Sequence, residues 1–143
     1  MRLSHVHSWR VRMDKAELTI EIGNHSIIET VENVEELENT LRHAHKQKSA
    51  SVYIVIPAYR NTMAIELDEV HGCIMFMDKS LDPPYNMLLE DPDAPDEDFE
   101  FDVGGTPTPI ALKYCIPIEK VIDLARHFFL FGRFPEGIEW EET

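Results

Sequence analysis

Residues 51–78, SVYIVIPAYRNTMAIELDEVHGCIMFMD, decide the fold. Residues 51–56 are β-branched and aromatic and read as a strand that Pro57 stops. Residues 62–68 alternate, with Met63, Ile65 and Leu67 predicted to face inward and Glu66 and Asp68 outward. Residues 73–78 are apolar on both faces, which predicts a central strand. The short connection Val70-His71-Gly72 makes the last two strands an antiparallel hairpin.

Upstream, residues 16–22 place Leu18, Ile20 and Ile22 on one side and Glu17, Thr19 and Glu21 on the other, a half-buried strand. Gly23-Asn24 signals a turn, and residues 27–31 read as a short second strand. Asn33 stands as an N-cap with Glu36 in the capping-box position. Val34, Leu37, Leu41 and Ala44 then follow at helical spacing. Acids (Glu35, Glu36, Glu38) lead and bases (Arg42, Lys46, Lys48) trail, which suits the dipole of a helix over 34–47.

Downstream, residues 86–90 add a strand. Residues 81–108 are the least regular, with Pro83, Pro84, Pro92, Pro95, Pro107 and the pair Gly104-Gly105. Glu90, Asp91, Asp93, Asp96, Glu97, Asp98, Glu100 and Asp102 stand there without a base, so the segment repels itself and stays solvated unless a cation meets it. Phe99, Phe101 and Val103 alternate with Glu100 and Asp102, so its end can pair as an edge strand. Residues 110–116 read as another strand. Pro117 suits the first turn of a helix, whose apolar face is Ile118, Val121, Ile122, Ala125 and Phe129, widened by Leu124 and Phe128. Gly132 stops it, and residues 138–140 close the chain in an extended segment. The order of elements predicts an α+β fold: a mostly antiparallel sheet with two main helices packed on one face. Residues 1–143 read as a single domain, with 1–13 (bearing Arg2, Arg10 and Arg12) as a tail or added arm.

The charge is unusual for this length. There are 27 Asp and Glu against 13 Lys and Arg, a formal net charge of −14. A polyanion repels nucleic acid and anionic lipid and attracts basic partners, although acidity also serves solubility alone. No apolar run approaches the roughly 20 residues of a membrane span, and the N-terminus has no signal-peptide h-region. The expected location is the cytoplasm, with no membrane or nucleic-acid partner. Cys73 and Cys115 read as small buried hydrophobes in a reducing compartment.

Catalytic signatures are absent from the sequence: no phosphate loop, no His-Glu-x-x-His, no Gly-x-Ser-x-Gly and no zinc deaminase pattern. His5 and His7 lack a carboxylate or thiol to complete a metal set. His43 and His45, two apart on a helix, point to different faces. His71 beside Cys73 is explained by a hairpin turn more simply than by a nucleophilic pair. His127 suits the C-terminal end of its helix. The acid cluster has nothing that raises one particular pKa. The aromatics Phe128, Phe129, Phe131, Phe134 and Trp140 read mostly as core. The expectation is a protein that is not an enzyme, needs no cofactor and holds no metal.

The 26 residues 117–142, PIEKVIDLARHFFLFGRFPEGIEWEE, resemble the end of Imm family one of bacterial polymorphic-toxin immunity proteins. Ala125, Phe128, Phe129, Gly132, Arg133, Pro135, Trp140 and Glu141 stand in the family's helix, aromatic, glycine, Arg-Pro and Trp-acid positions. Gly104-Gly105 resembles its upstream glycine pair, and a looser match in element order runs from about residue 16. The resemblance implies a protein that neutralises a cognate toxin, often a nucleic-acid deaminase with a basic groove. Its acidic segment would then cover that groove by steering and charge-assisted hydrogen bonds, as a monomer in a 1:1 complex. The motif residues Phe128, Phe129, Gly132, Arg133, Pro135 and Trp140 would be scaffold, with Trp140 packed on the last helix. The alternative readings are an adaptor or secretion chaperone, and a small enzyme using scattered carboxylates or His71.

Overall fold

Four strands of the chain place an aliphatic residue in one transverse row: Ile20, Val52, Ile65 and Ile74 lie side by side across the sheet. The computed structural model describes residues 15–47, 49–56, 61–77 and 85–142. The predicted arm at 1–13, with His5 and His7, lies outside the described residues, as do Lys48, Pro57, Asp78, Pro83 and Pro84. Within them run β1 (Ala16–Ile22), β2 (His25–Val31), α1 (Val34–His45), β3 (Ala50–Val55), β4 (Thr62–Leu67) and β5 (His71–Met77). There follow β6 (Asn86–Leu88), β7 (Asp98–Val103), β8 (Thr106–Ala111), a 3-10 turn (Leu112–Tyr114), β9 (Ile116–Pro117), α2 (Ile118–Phe131) and β10 (Trp140–Glu142).

The main sheet runs β10-β6-β5-β4-β3-β1-β2, and every ladder is antiparallel. On its second edge β5 pairs with β9 at His71 and Gly72 and with β6 at Met75 and Phe76. Both helices lie on the face that carries the aliphatic row. The α1 residues Leu37, Leu41 and Ala44 join the α2 residues Val121, Leu124, Ala125, Phe128 and Phe129 in one core with the strands. The α+β arrangement read from the sequence is therefore the one observed.

Local chemistry sets the helix ends. Asn33 Oδ1 accepts from the Glu36 backbone N–H at 2.9 Å, as a cap should. The returning Glu36 carboxylate accepts from the Glu32 N–H rather than from Asn33, one residue off the expected box. α1 ends at His45, two residues short of the expected 47, and α2 ends on Gly132 at φ 70°, where only glycine is comfortable. Between the helices Arg42 bridges Glu38 and, bidentately, Glu119, while Arg126 holds Glu38 at 2.6 Å. Exposed and part-exposed pairs of this kind contribute little. A buried Leu or Phe contributes about 1.5–3 kcal/mol, so the apolar interface holds the helices and the ion pairs orient them.

The opposite face of the sheet is also covered, by a two-stranded β7–β8 hairpin. Cys73, Met87, Phe101 and Cys115 are buried beneath it, with Met75, Phe99 and Ile110 packed alongside. Two-sided burial explains the two apolar faces of β5: Ile74 meets the helices, and Cys73 and Met75 meet the hairpin. β4 is covered likewise, which corrects the outward placement of Glu66 and Asp68. Asp68 is only 8% exposed and Glu66 is half-buried.

Several further boundaries differ from expectation. The strand expected at 110–116 is instead Thr106–Ala111. Gly104 and Gly105, at φ 60° and 86°, form a two-residue turn that folds 106–111 back on β7. Pro107 and Pro109 fit because a strand in a two-stranded sheet has one edge that needs no N–H. The closing strand is Trp140–Glu142 rather than 138–140, and β2 begins at His25 rather than at 27. The β4–β5 connection spans 68–70, so His71 and Gly72 belong to β5 itself.

Gly72 sits directly under α2, where an added Cβ would stand 2.8 Å from Val121 Cγ2 and 3.3 Å from the Glu66 carbonyl oxygen. Gly72→Ala should lose about 1–3 kcal/mol in a urea melt through this overpacking; unchanged stability would contradict the close helix–strand contact. Glu66 supplies a pH test. Burial pushes its carboxyl up to about 7 from 4.5, the nearby Glu21 adds to the rise, and the Ser51 hydroxyl bond opposes it. A carboxyl raised on folding favours the fold while protonated, so the contribution is full below about pH 4.5 and is lost as pH climbs through about 7. Glu66→Gln should therefore stabilise by roughly 1–3 kcal/mol at pH 8 and change little at pH 4. Equal gains at both pH values would show that the charge is not the cause.

Candidate partner-binding surface

The hairpin that shuts the second core also sorts the acids predicted to bind a partner. In β7, Phe99, Phe101 and Val103 turn toward the cluster while Asp98, Glu100 and Asp102 stand exposed between them. Period two thus converts a run of mixed residues into a buried apolar edge and an exposed anionic one. Asp93, Asp96 and Glu97 are exposed in the approach to β7.

Not every predicted residue is available. Glu90 is half-buried and holds Lys120 Nζ at 2.6 Å, so its charge is already matched. Asp91 Oδ1 accepts from the Asp93 N–H at 3.1 Å, closing a local turn. The backbone of this segment is anchored too. Glu90 and Asp91 donate their N–H groups to the Lys113 carbonyl at 2.8 and 3.1 Å, and Leu112 donates to the Glu97 carbonyl at 2.9 Å. The segment expected to stay fully solvated is a tethered strap with solvated side chains.

One end of β7 faces the β4–β5 turn across a cleft of about 320 Å³. Asp68, Glu69 and Val70 form one wall and Phe99, Glu100 and Asp102 the other, with Ser49 at the edge. Asp68, Glu69 and Val70 were not among the predicted residues, and their place depends on a long-range contact with the hairpin that no local pattern encodes. Asp68 Oδ1 accepts from the backbone N–H groups of Val70 and His71 at 2.7 and 2.6 Å, which fixes the turn. Among the described residues its Oδ2, which is buried, has no hydrogen-bond partner, and neither has His71 Nδ1. The His71 ring meets Phe99 edge to face at 4.9 Å.

This surface carries little nucleophilic chemistry. Burial, the Glu66 charge and the neighbouring Cys115 push the Cys73 thiol up to about 12, and burial pushes Cys115 up to about 11. Thiols held so high stay protonated near neutrality, which leaves the His71–Cys73 pair without a thiolate. Among the described residues no group of three or more His, Cys, Asp or Glu is placed to hold a metal ion, and no helix is long and apolar enough to cross a membrane.

The aromatic motif lies at the other end. Phe128 and Phe129 are fully buried on α2, Phe134 stacks on Phe128 at 5.2 Å, and Trp140 meets Phe134 and Phe76 at 4.9 and 6.0 Å. Trp140 thus approaches the last helix through Phe134. Gly132 ends that helix, Pro135 is half-buried in the following bend, and the exposed Arg133 lies over Phe131 at 5.8 Å. The His127 Nδ1–H donates to the Arg133 carbonyl at 2.9 Å, closing the C-terminal turn. Leu130 and Phe131 remain nearly half exposed, so the aromatic run is core only in part. Glu141 holds Lys113 at 2.9 Å and accepts from the Tyr114 hydroxyl, which ties β10 to the 3-10 turn below the hairpin.

The family model for immunity protein Imm1 matches residues 23–142, a span that takes in both helices, the hairpin, the cleft and the aromatic motif. No curated protein matches the chain. With most of its length matched, the chain belongs to the Imm1 family of immunity proteins.

Proposed function

We propose that this chain binds a cognate bacterial toxin in the cytoplasm and inhibits it, without turnover of its own, by laying an acidic surface over the toxin's active-site region. The observation that carries the reading is the row Asp98, Glu100 and Asp102, continued by Asp96 and Glu97, exposed on a hairpin whose other side is locked into an apolar cluster. Carboxylates on a fixed strand lose little freedom when a partner meets them, so more of the Coulombic attraction survives as affinity. The net charge of −14 adds long-range steering toward a basic partner.

A toxin that acts on nucleic acid fits this charge, because its substrate groove must neutralise phosphates. A deaminase domain is the partner proposed, in a 1:1 complex in which the hairpin's carboxylates take the place of the substrate backbone. Charge-assisted hydrogen bonds from Arg and Lys to these carboxylates would supply the specificity.

The test is a charge reversal at Asp96→Lys, Glu97→Lys and Asp98→Lys together. These side chains are exposed, and the structural bond at this point uses the Glu97 carbonyl, so folding should be unaffected. Association with the cognate toxin domain should slow by at least about tenfold, with protection lost in co-expression. Protection and an association rate equal to the wild type would contradict the acidic-surface mechanism.

A further inference from the structure

We propose that Cys73 and Cys115 form a redox latch: a small-molecule disulfide oxidant joins them in an intramolecular disulfide that staples the base of the β7–β8 hairpin to β5, and a thiol reductant reopens it. The latch is separate from toxin binding and does not depend on it.

The two cysteines are far apart in the sequence, and the fold makes them neighbours. β5 pairs with β9 antiparallel, His71 against Pro117 and Gly72 against Ile116. The next position of that register sets Cys73 beside Cys115, whose backbone is still extended at φ −81° and ψ 125°. Alternation puts both on one face. Gly72 and Ile116 lie toward the helices, while Cys73 and Cys115 are buried together in the cluster under the hairpin. Directly opposed residues of an antiparallel pair have Cα atoms about 4.5–5.5 Å apart, and a disulfide spans about 4.4–6.8 Å. Rotation about the two Cα–Cβ bonds therefore brings sulfur to sulfur without moving the backbone. The Cys115 thiol rests 3.7 Å from the Ala111 carbonyl oxygen, a weak hydrogen bond that is given up at little cost.

Both thiols are free and buried, Cys73 at 3% and Cys115 at 8% exposure, and burial keeps them protonated. Reaction therefore waits for the hairpin to lift, a local opening of a two-stranded unit that closes one cluster. Cys115, the less shielded of the two, then gives up its proton and attacks one sulfur of the oxidant RSSR. The oxidant's S–S bond breaks, and one RS⁻ leaves and takes that proton as RSH. The Cys73 thiolate attacks the Cys115 sulfur of the mixed disulfide, the Cys73–Cys115 bond forms, and the second RS⁻ leaves with the Cys73 proton. The chain gives up two electrons and two protons, and the oxidant takes up both. The closed loop holds β6, the acidic strap and both hairpin strands. The bond thus removes freedom from the opened state of the segment that displays Asp98, Glu100 and Asp102.

The test incubates the reduced full chain with glutathione disulfide, in buffer and again in urea just below the unfolding midpoint, where opening is frequent enough that burial cannot hide the reaction. Non-reducing mass spectrometry should show a monomer short of two hydrogens, and its peptide map should join the segment holding Cys73 to the segment holding Cys115. The oxidised chain should melt at least about 5 °C above the reduced one, and dithiothreitol should return it to the starting value. Cys73→Ala, a small apolar side chain in an apolar cluster, should keep the fold and show neither the internal bond nor the rise in melting temperature. Chains that keep both thiols titratable in both solutions, or that carry glutathione on each, would overturn the latch, as would a bond formed only between two chains. An internal bond that leaves the melting temperature unchanged or lowered would overturn it too, because the hairpin would then not be stapled.

Discussion

A sheet seven strands wide has two faces, and two helices can cover only one. The structure depends on burying the second face of β4 and β5, and the β7–β8 hairpin does so with Phe99, Phe101 and Ile110 over Cys73, Met75 and Met87. Without it, a row of apolar side chains on an interior strand would meet water at a cost of roughly 25 cal/mol per Å². The same packing leaves the alternate residues of β7 nowhere to go but outward. Asp98, Glu100 and Asp102 are therefore displayed by the element that completes the core, and rigidity and electrostatics there share one cause.

Much of this arrangement is legible in the residues. The period-two pattern of 16–22, Asn33 before a helical stripe, and Pro117 and Gly132 at either end of α2 each encode their own local structure. The doubly apolar run at 73–77 already indicates an interior strand. What local pattern does not carry is where the hairpin lands. Thr106–Ala111, with two prolines, reads poorly as a strand, and it becomes one because the Gly104-Gly105 turn aligns it with β7. Asp68 reads as an exposed strand end and is buried by an element thirty residues further along the chain.

The candidate site divides in the same way. Eight acids without a base read as one uniform segment, yet their surroundings separate them. Glu90 is matched by Lys120, Asp91 closes a turn, and Asp98, Glu100 and Asp102 form an exposed row beside a cleft. Composition gives only the sign of the chain's own charge, and geometry says which of these carboxylates stand exposed. The Imm1 match spans this whole frame, whose helices, sheet and aromatic end are held by apolar contact.

The proposed inhibition turns on electrostatic attraction between that edge and a basic toxin. The most direct measurement is the association rate with the toxin domain as ionic strength is raised from about 20 mM to 500 mM, across which the screening length contracts to a few ångströms. Electrostatic steering should lower the association rate at least about tenfold, with the dissociation rate changing far less. A rate that stays flat across that range would mean that uncharged contacts bring the two proteins together, and the carboxylates of β7 would lose their assigned role.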